Sequence, residues 1–147
     1  MQNNCTEENG LFKITQNIFL INEEGELLLL QHSSGKWLLV GGRLNASEQW
    51  ENGLRREVVE ETGITEFSVE GVLQVDYWEH KGLHQYGVFF YGKTKKENEV
   101  ILSGEHISYK WVKSAEEIKE LEFWAPELQE RIFKGFGKMQ ELLKLHK

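Results

Sequence analysis

Short apolar runs alternate with turn-forming residues along the chain, and their spacing predicts a mixed sheet flanked by helices. Lys13–Ile21 (KITQNIFLI) and Glu26–Gln31 (ELLLLQ) read as two strands, with hairpin-turn chemistry in Asn22-Glu23-Glu24-Gly25 between them. Trp37–Val40 is a further short apolar run, closed by Gly41-Gly42, two residues whose bare backbone lets another group approach closely. The period then changes. Trp50, Leu54 and Val58 recur at every fourth position, which predicts a helix over Glu48–Thr62, with Ser47 as its N-cap and Gly63 ending it. Phe67–Trp78 and His84–Thr94 are rich in β-branched and aromatic residues around a Lys81-Gly82 turn, and Glu105–Val112 is another strand. Ser114 caps a short helix over Ala115–Leu121. Pro126 suits the first turn of a last helix reaching towards Leu145, in which Gly135 and Gly137 predict a bend or a stop. The expected class is α/β (α+β): a mixed sheet with helices on both sides, in one domain spanning residues 1–147. Residues 1–10 are expected to form a mobile N-terminal segment.

Composition narrows the function classes. Of the 147 residues, 39% are hydrophobic and 28% charged, which argues against a disordered tail. No apolar run approaches the roughly 18 residues of a membrane span. The start, Met1 to Glu8, lacks the basic and apolar blocks of a signal peptide. Cys5 is the sole cysteine, so neither an internal disulfide nor a cysteine-based zinc cluster is available. The expectation is a cytoplasmic protein with no membrane contact. Its 17 basic against 24 acidic residues leave a net charge of −7, which opposes binding to duplex DNA or RNA. A polyanionic substrate would need local cationic side chains or a bound divalent ion. Asp76 is the only aspartate, so carboxylate chemistry here is glutamate chemistry.

The helix over Glu48–Thr62 carries Glu57, Glu60 and Glu61 at i, i+3 and i+4, on a face away from the Trp50/Leu54/Val58 stripe. Helical position alone leaves two readings open. One is a solvated acidic face; the other is a site for a hard cation, whose charge would relieve the repulsion among the carboxylates.

The wider spacing carries more information. From Gly42 the chain runs five residues to Glu48 and seven more to Arg56-Glu57, and Val58, Glu60, Glu61, Gly63 and Ile64 follow in order. Over Gly42–Ile64 this resembles the Nudix hydrolase signature at all nine of its specified positions. The resemblance implies an α/β/α sandwich around a mixed sheet, with the signature forming a loop–helix–loop. It also implies hydrolysis of a nucleoside diphosphate linked to another group, with Mg²⁺ or Mn²⁺ as cofactor and a small nucleotide as substrate. Many members have proline directly before the two glycines; here that position is Val40.

The same resemblance assigns roles. Glu57, Glu60 and Glu61 are implied metal ligands, with the Gly41 carbonyl as a backbone ligand. Arg56 is implied to orient the glutamates, Glu48 to tie the loop to the helix, and Gly42 and Gly63 to shape its two ends. The proton of the attacking water goes to Glu57 or to Glu105, the glutamate of Ser103-Gly104-Glu105-His106 ahead of a Trp-containing strand. Arg43, directly after the glycines, is a candidate phosphate contact, against a solvated loop arginine. His32, His80, His84 and His106 show no ligand spacing and read as ordinary. Trp78, Tyr86, Phe89 and Tyr91 are either core residues or rings on which a base could stack. The proline that often marks ADP-ribose pyrophosphatases is absent where Glu79 and His80 stand. The tyrosine that often marks diadenosine polyphosphate hydrolases is absent at His80, Lys81 and Gly82. Both absences favour a substrate of the nucleoside triphosphate type. The rival expectation is a sensor of the same fold that binds a nucleotide or metabolite with little or no turnover. Monomer and homodimer are left open.

Overall fold

β1 (Lys13–Ile21) runs through the middle of the molecule, where Ile18, Phe19, Leu20 and Ile21 are all buried. Successive side chains of a strand point to opposite faces. Ile18 and Leu20, with Leu28 and Leu30 of β2 (Leu27–His32), therefore enter one core, while Phe19 and Ile21, with Leu27 and Leu29, enter a second. A strand covered on both faces needs an unbroken apolar run, which is why the four leucines show no alternation. α1 (Trp50–Thr62) covers the first core with Leu54 and Val58. α2 (Ala115–Lys119) and α3 (Pro126–Leu145) cover the second with Ile118, Ile132, Phe136 and Met139. The result is the expected α/β/α layering. This computed structural model describes residues 10–145, so nine of the ten residues of the expected mobile segment, Cys5 among them, lie outside the described residues.

The sheet has seven strands, completed by β3 (Trp37–Leu38), β4 (Val40–Arg43), β5 (Phe67–His80), β6 (Leu83–Thr94) and β7 (His106–Val112). β1 pairs in parallel with β6 from Lys13↔Gln85 to Ile21↔Lys93, and antiparallel with β4 over residues 15–18. β5 and β6 form a long hairpin whose turn uses Lys81 (φ 50°) and Gly82 (φ 77°). β2 pairs antiparallel with both β3 and β7, and meets β1 only at Ile21↔Leu27.

Several local expectations are corrected. α1 begins at Trp50 rather than Glu48: Gln49 takes the N-cap position without a side-chain cap bond, and Ser47 lies in the preceding loop with φ 64°. Trp50 is not a core residue. It is 43% exposed and stacks on Phe90 at a centroid distance of 5.0 Å, so the buried stripe is Leu54 and Val58. Gly63 does end α1 in the left-handed region (φ 72°), its N–H donating to the Val59 carbonyl. The short helix after Ser114 ends at Lys119 instead of Leu121, and Ser114 makes no side-chain cap bond. α3 continues through Gly135 and Gly137. Gly135 rests on the Phe19 ring, where a Cβ would overlap, so its small size serves close helix–sheet contact. No helix among the described residues is long and apolar enough to cross a membrane.

Candidate active site

β4 is the strand on which the site is built. Val40, in place of the frequent proline, is fully buried with Leu54 and Val58 and anchors the strand to α1. At Gly41 a Cβ would overlap the Gln16 carbonyl of β1, and at Gly42 it would overlap the Glu57 carboxyl group. The glycine pair is thus pressed between β1 and α1. Gly41, Gly42 and Arg43 also form one wall of a cavity of about 600 Å³, whose other walls include Asn17, Trp78, Phe89, Trp124 and Arg131.

Arg56 organises the acidic side of α1. Its Nε and Nη2 donate to the two Glu48 carboxylate oxygens at 2.8 and 3.0 Å. Its Nη1 donates to Glu57 Oε1 at 2.9 Å and Glu60 Oε2 at 3.3 Å, and Nη2 also reaches the Arg43 carbonyl at 3.2 Å. The Arg56 hydrogen bonds, followed by the Asn45 amide, hold the Glu48 carboxyl below its usual range. The same Glu48 bonds, chiefly, push the guanidinium further up.

The three glutamates differ in environment. The Glu60 side chain is 57% exposed, Glu57 15% and Glu61 9%, so two of the three are not part of a solvated face. Burial raises the pKa of Glu57, opposed by Arg56. Burial likewise pushes Glu61 up to about 8; the Gly41 N–H, which donates to its Oε1 at 2.8 Å, works the other way, and the charges of Glu57, Glu105 and Glu60 add to the rise.

The remaining candidates are scattered around this centre. Glu105 is exposed on the loop before β7, where its carbonyl accepts from the Ser33 N–H at 3.0 Å. Arg43 is exposed at the cavity wall. Trp78 and Phe89 line the cavity and also pack on the second core. Tyr86 alternates to the opposite sheet face, near Phe12 and Tyr77, and Tyr91 packs against the second core. His106 departs from the sequence reading. Its side chain is 2% exposed and its Nε2 lies 3.3 Å from Glu61 Oε2. Burial lowers its pKa and favours the neutral ring. The one linear signal was its position beside Glu105 at the start of a strand; its proximity to a helix 45 residues earlier is not written locally.

Among the described residues, no group of three or more His, Cys, Asp or Glu side chains is arranged to hold a metal ion. One oxygen each of Glu57 and Glu60 is engaged by Arg56, while Gly41 and His106 lie against the two oxygens of Glu61. The donor set nevertheless fits a hard divalent cation. It offers carboxylate oxygens within about one helical turn, and burying the charge of Glu61 beside Glu57, Glu60 and Glu105 carries a cost that such an ion would offset.

A family model described as the NUDIX domain matches residues 11–133. The MutT protein from Methanosarcina mazei Go1 is 34% identical with a TM-score of 0.74, covering 88% of this chain and 95% of that one. Two more distant structures share the fold. C. elegans Ap4A hydrolase is 22% identical over 90% of this chain and 98% of that one, with a TM-score of 0.74. An ADP-ribose pyrophosphatase from Streptococcus suis 89-1591 is 17% identical over 90% and 92%, with a TM-score of 0.67. No curated protein matches the chain. The matched region encloses the loop–helix–loop on which Arg56 gathers the glutamates, and the chain therefore belongs to the Nudix hydrolase family.

Proposed function

We propose that the protein hydrolyses a phosphoanhydride bond of a nucleoside diphosphate linked to another group, in a divalent-cation-dependent reaction, with a nucleoside triphosphate or similarly small nucleotide as substrate. The observation that carries this reading is the shared wall at Gly41–Gly42: a cavity of about 600 Å³ lies against the same backbone that touches Glu57 and Glu61. A nucleotide in that cavity would bring its phosphates to the acidic end of α1.

Glu57, Glu60, Glu61 and the Gly41 carbonyl would hold Mg²⁺ or Mn²⁺. When bound, the ion supplies charge neutralisation on phosphate oxygens and makes nearby water more acidic. Arg56 keeps Glu48, Glu57 and Glu60 in register, acting through them rather than on the substrate. Arg43 is suited to meet a phosphate at the cavity wall. Trp78 and Phe89 give the cavity apolar ring surface against which a base can pack. Water attacks phosphorus, the bond to the bridging oxygen breaks, and the water's proton passes to a carboxylate. Glu57 and Glu105 are the two candidates, separated by comparing Glu57→Gln with Glu105→Gln: the base is the one whose loss removes the fall of kcat at low pH.

The test is a panel of nucleoside triphosphates, dinucleoside polyphosphates and nucleotide sugars, incubated with Mg²⁺ or Mn²⁺ while phosphate and pyrophosphate release is followed. Cation-dependent turnover of a triphosphate, lost in Glu60→Gln or Glu61→Gln, is the expected result. The engagement of Glu57 and Glu60 by Arg56 favours one second reading, a nucleotide- or metabolite-binding sensor with little turnover. Thermal stabilisation by a nucleotide without product formation would establish that reading instead.

A further inference from the structure

We propose that His106 is a positioning residue of this site: with Ser103 fixing its ring, it seats the Glu61 carboxylate against the Gly41 amide and couples the Glu105 loop to α1. The inference rests on the hydrolase reading in so far as Glu61 takes part in that chemistry.

Glu61 sits in the last turn of α1 with its Oε1 bonded to the Gly41 N–H at 2.8 Å. One such bond leaves the carboxyl plane free to swing about it. A second contact at the other oxygen removes that freedom, and His106 Nε2 stands 3.3 Å from Oε2. Both side chains are almost wholly buried, so water does not compete for the contact.

The far side of the ring is also engaged. Ser103 Oγ lies 3.1 Å from His106 Nδ1. A hydroxyl donating to Nδ1 leaves the ring proton on Nε2, the nitrogen nearer Glu61; the opposite tautomer would leave a lone pair there. The loop itself is fixed to the sheet. The His106 N–H donates to the Ser103 carbonyl at 3.2 Å, the Ser33 N–H to the Glu105 carbonyl at 3.0 Å, and His106 pairs with His32 where β7 meets β2. A displacement of Glu61 is therefore transmitted through the imidazole to the segment that carries Glu105. Ordering of ligating carboxylates by hydrogen-bonded neighbours is a general property of metal sites.

The experiment compares the wild type with His106→Leu, which removes the ring nitrogen, and His106→Gln, whose amide can donate from a similar reach. Three readouts are taken. Long-range ¹H–¹⁵N correlation on the metal-free wild type should find the His106 proton on Nε2. Mn²⁺ titration followed by electron paramagnetic resonance, without nucleotide, should show about 10-fold or greater weakening in His106→Leu and substantial recovery in His106→Gln. Turnover should fall in kcat for His106→Leu, with the nucleotide KM within about twofold of wild type. The proposal is overturned by an Nδ1-protonated ring, or by wild-type Mn²⁺ affinity and kcat in His106→Leu. It is equally overturned if His106→Gln is no better than His106→Leu and both melt early, which would make the ring core filler. A wild type that neither binds Mn²⁺ nor turns over any nucleotide would defeat the hydrolase reading alone, because the tautomer measurement still tests which ring nitrogen carries the proton beside Glu61.

Discussion

Gly42 of β4 and Glu57 of α1 compete for one space: the glycine has no side chain where the glutamate's carboxyl group lies. The neighbouring Gly41 meets a different obstacle, the backbone of β1 at Gln16. The two glycines therefore respond differently to the same substitution. In Gly42→Ala the obstacle is the end of a flexible side chain, so the fold survives while Glu57 is displaced; a shift of that kind is expected to lower kcat about 100-fold. In Gly41→Ala the obstacle is rigid, and a stability loss of about 1–3 kcal/mol is expected. Nucleotide turnover and thermal denaturation of both variants check this, and a fully active Gly42→Ala would remove Glu57 from the site.

Arg56 holds Glu48 through two nitrogens and Glu57 through a third. Lysine keeps the charge but offers a single point of attachment in place of the planar fork. Arg56→Lys should therefore lower activity or Mn²⁺ affinity by about 10–100-fold. Steady-state kinetics and Mn²⁺ titration at fixed ionic strength provide the measurement. Retention of wild-type values would show that charge alone suffices.

The packing on the two faces of β1 can be probed separately. Leu54 of α1 is fully buried against the sheet, and Leu54→Ala should destabilise the protein by about 2–5 kcal/mol. On the opposite face, Gly135→Ala gains about 1 kcal/mol of helix propensity but drives a methyl group into the Phe19 ring. Overpacking costs about 1–3 kcal/mol, so a net loss is expected. Urea denaturation of Gly135→Ala, Phe19→Leu and the pair should show that the alanine is better tolerated once the ring is gone; strict additivity would contradict the contact.

Acid stability should depend on the hairpin between β1 and β2. The Lys96 ammonium, 2.8 Å from the buried Glu26 carboxylate, holds that carboxyl below its usual range, aided by a hydrogen bond from Asn22. A carboxyl whose pKa is lowered by folding stabilises the protein above its unfolded pKa, and that contribution disappears as the pH falls through the folded value. Melting temperatures from pH 7 to pH 3 should consequently decline for the wild type, with a shallower decline in Glu26→Gln. Parallel curves would exclude the pair from the acid response.

Local periodicity and spacing determined the layered class, most of the strands, the end of α1 at Gly63 and the signature over Gly42–Ile64, because each is an interaction between residues close in the chain. The four consecutive leucines of β2 read as a strand in sequence, but that both of its faces are covered was decided by the cores on either side. Tertiary contact decided the rest. Gly135 reads as a helix breaker until Phe19 is brought beneath it, and Trp50 reads as core until it proves to lie half-exposed, stacked on the buried Phe90. The three glutamates share a helical face in sequence, yet burial and different partners make Glu60 a solvated acid and Glu61 a raised one. His106 gives no local sign of its neighbour, since the β2–β7 pairing brings its strand to the site from the far side of the chain. Patterns within a turn or a strand are governed by short-range geometry, whereas desolvation and close approach depend on which distant segment arrives to exclude the water.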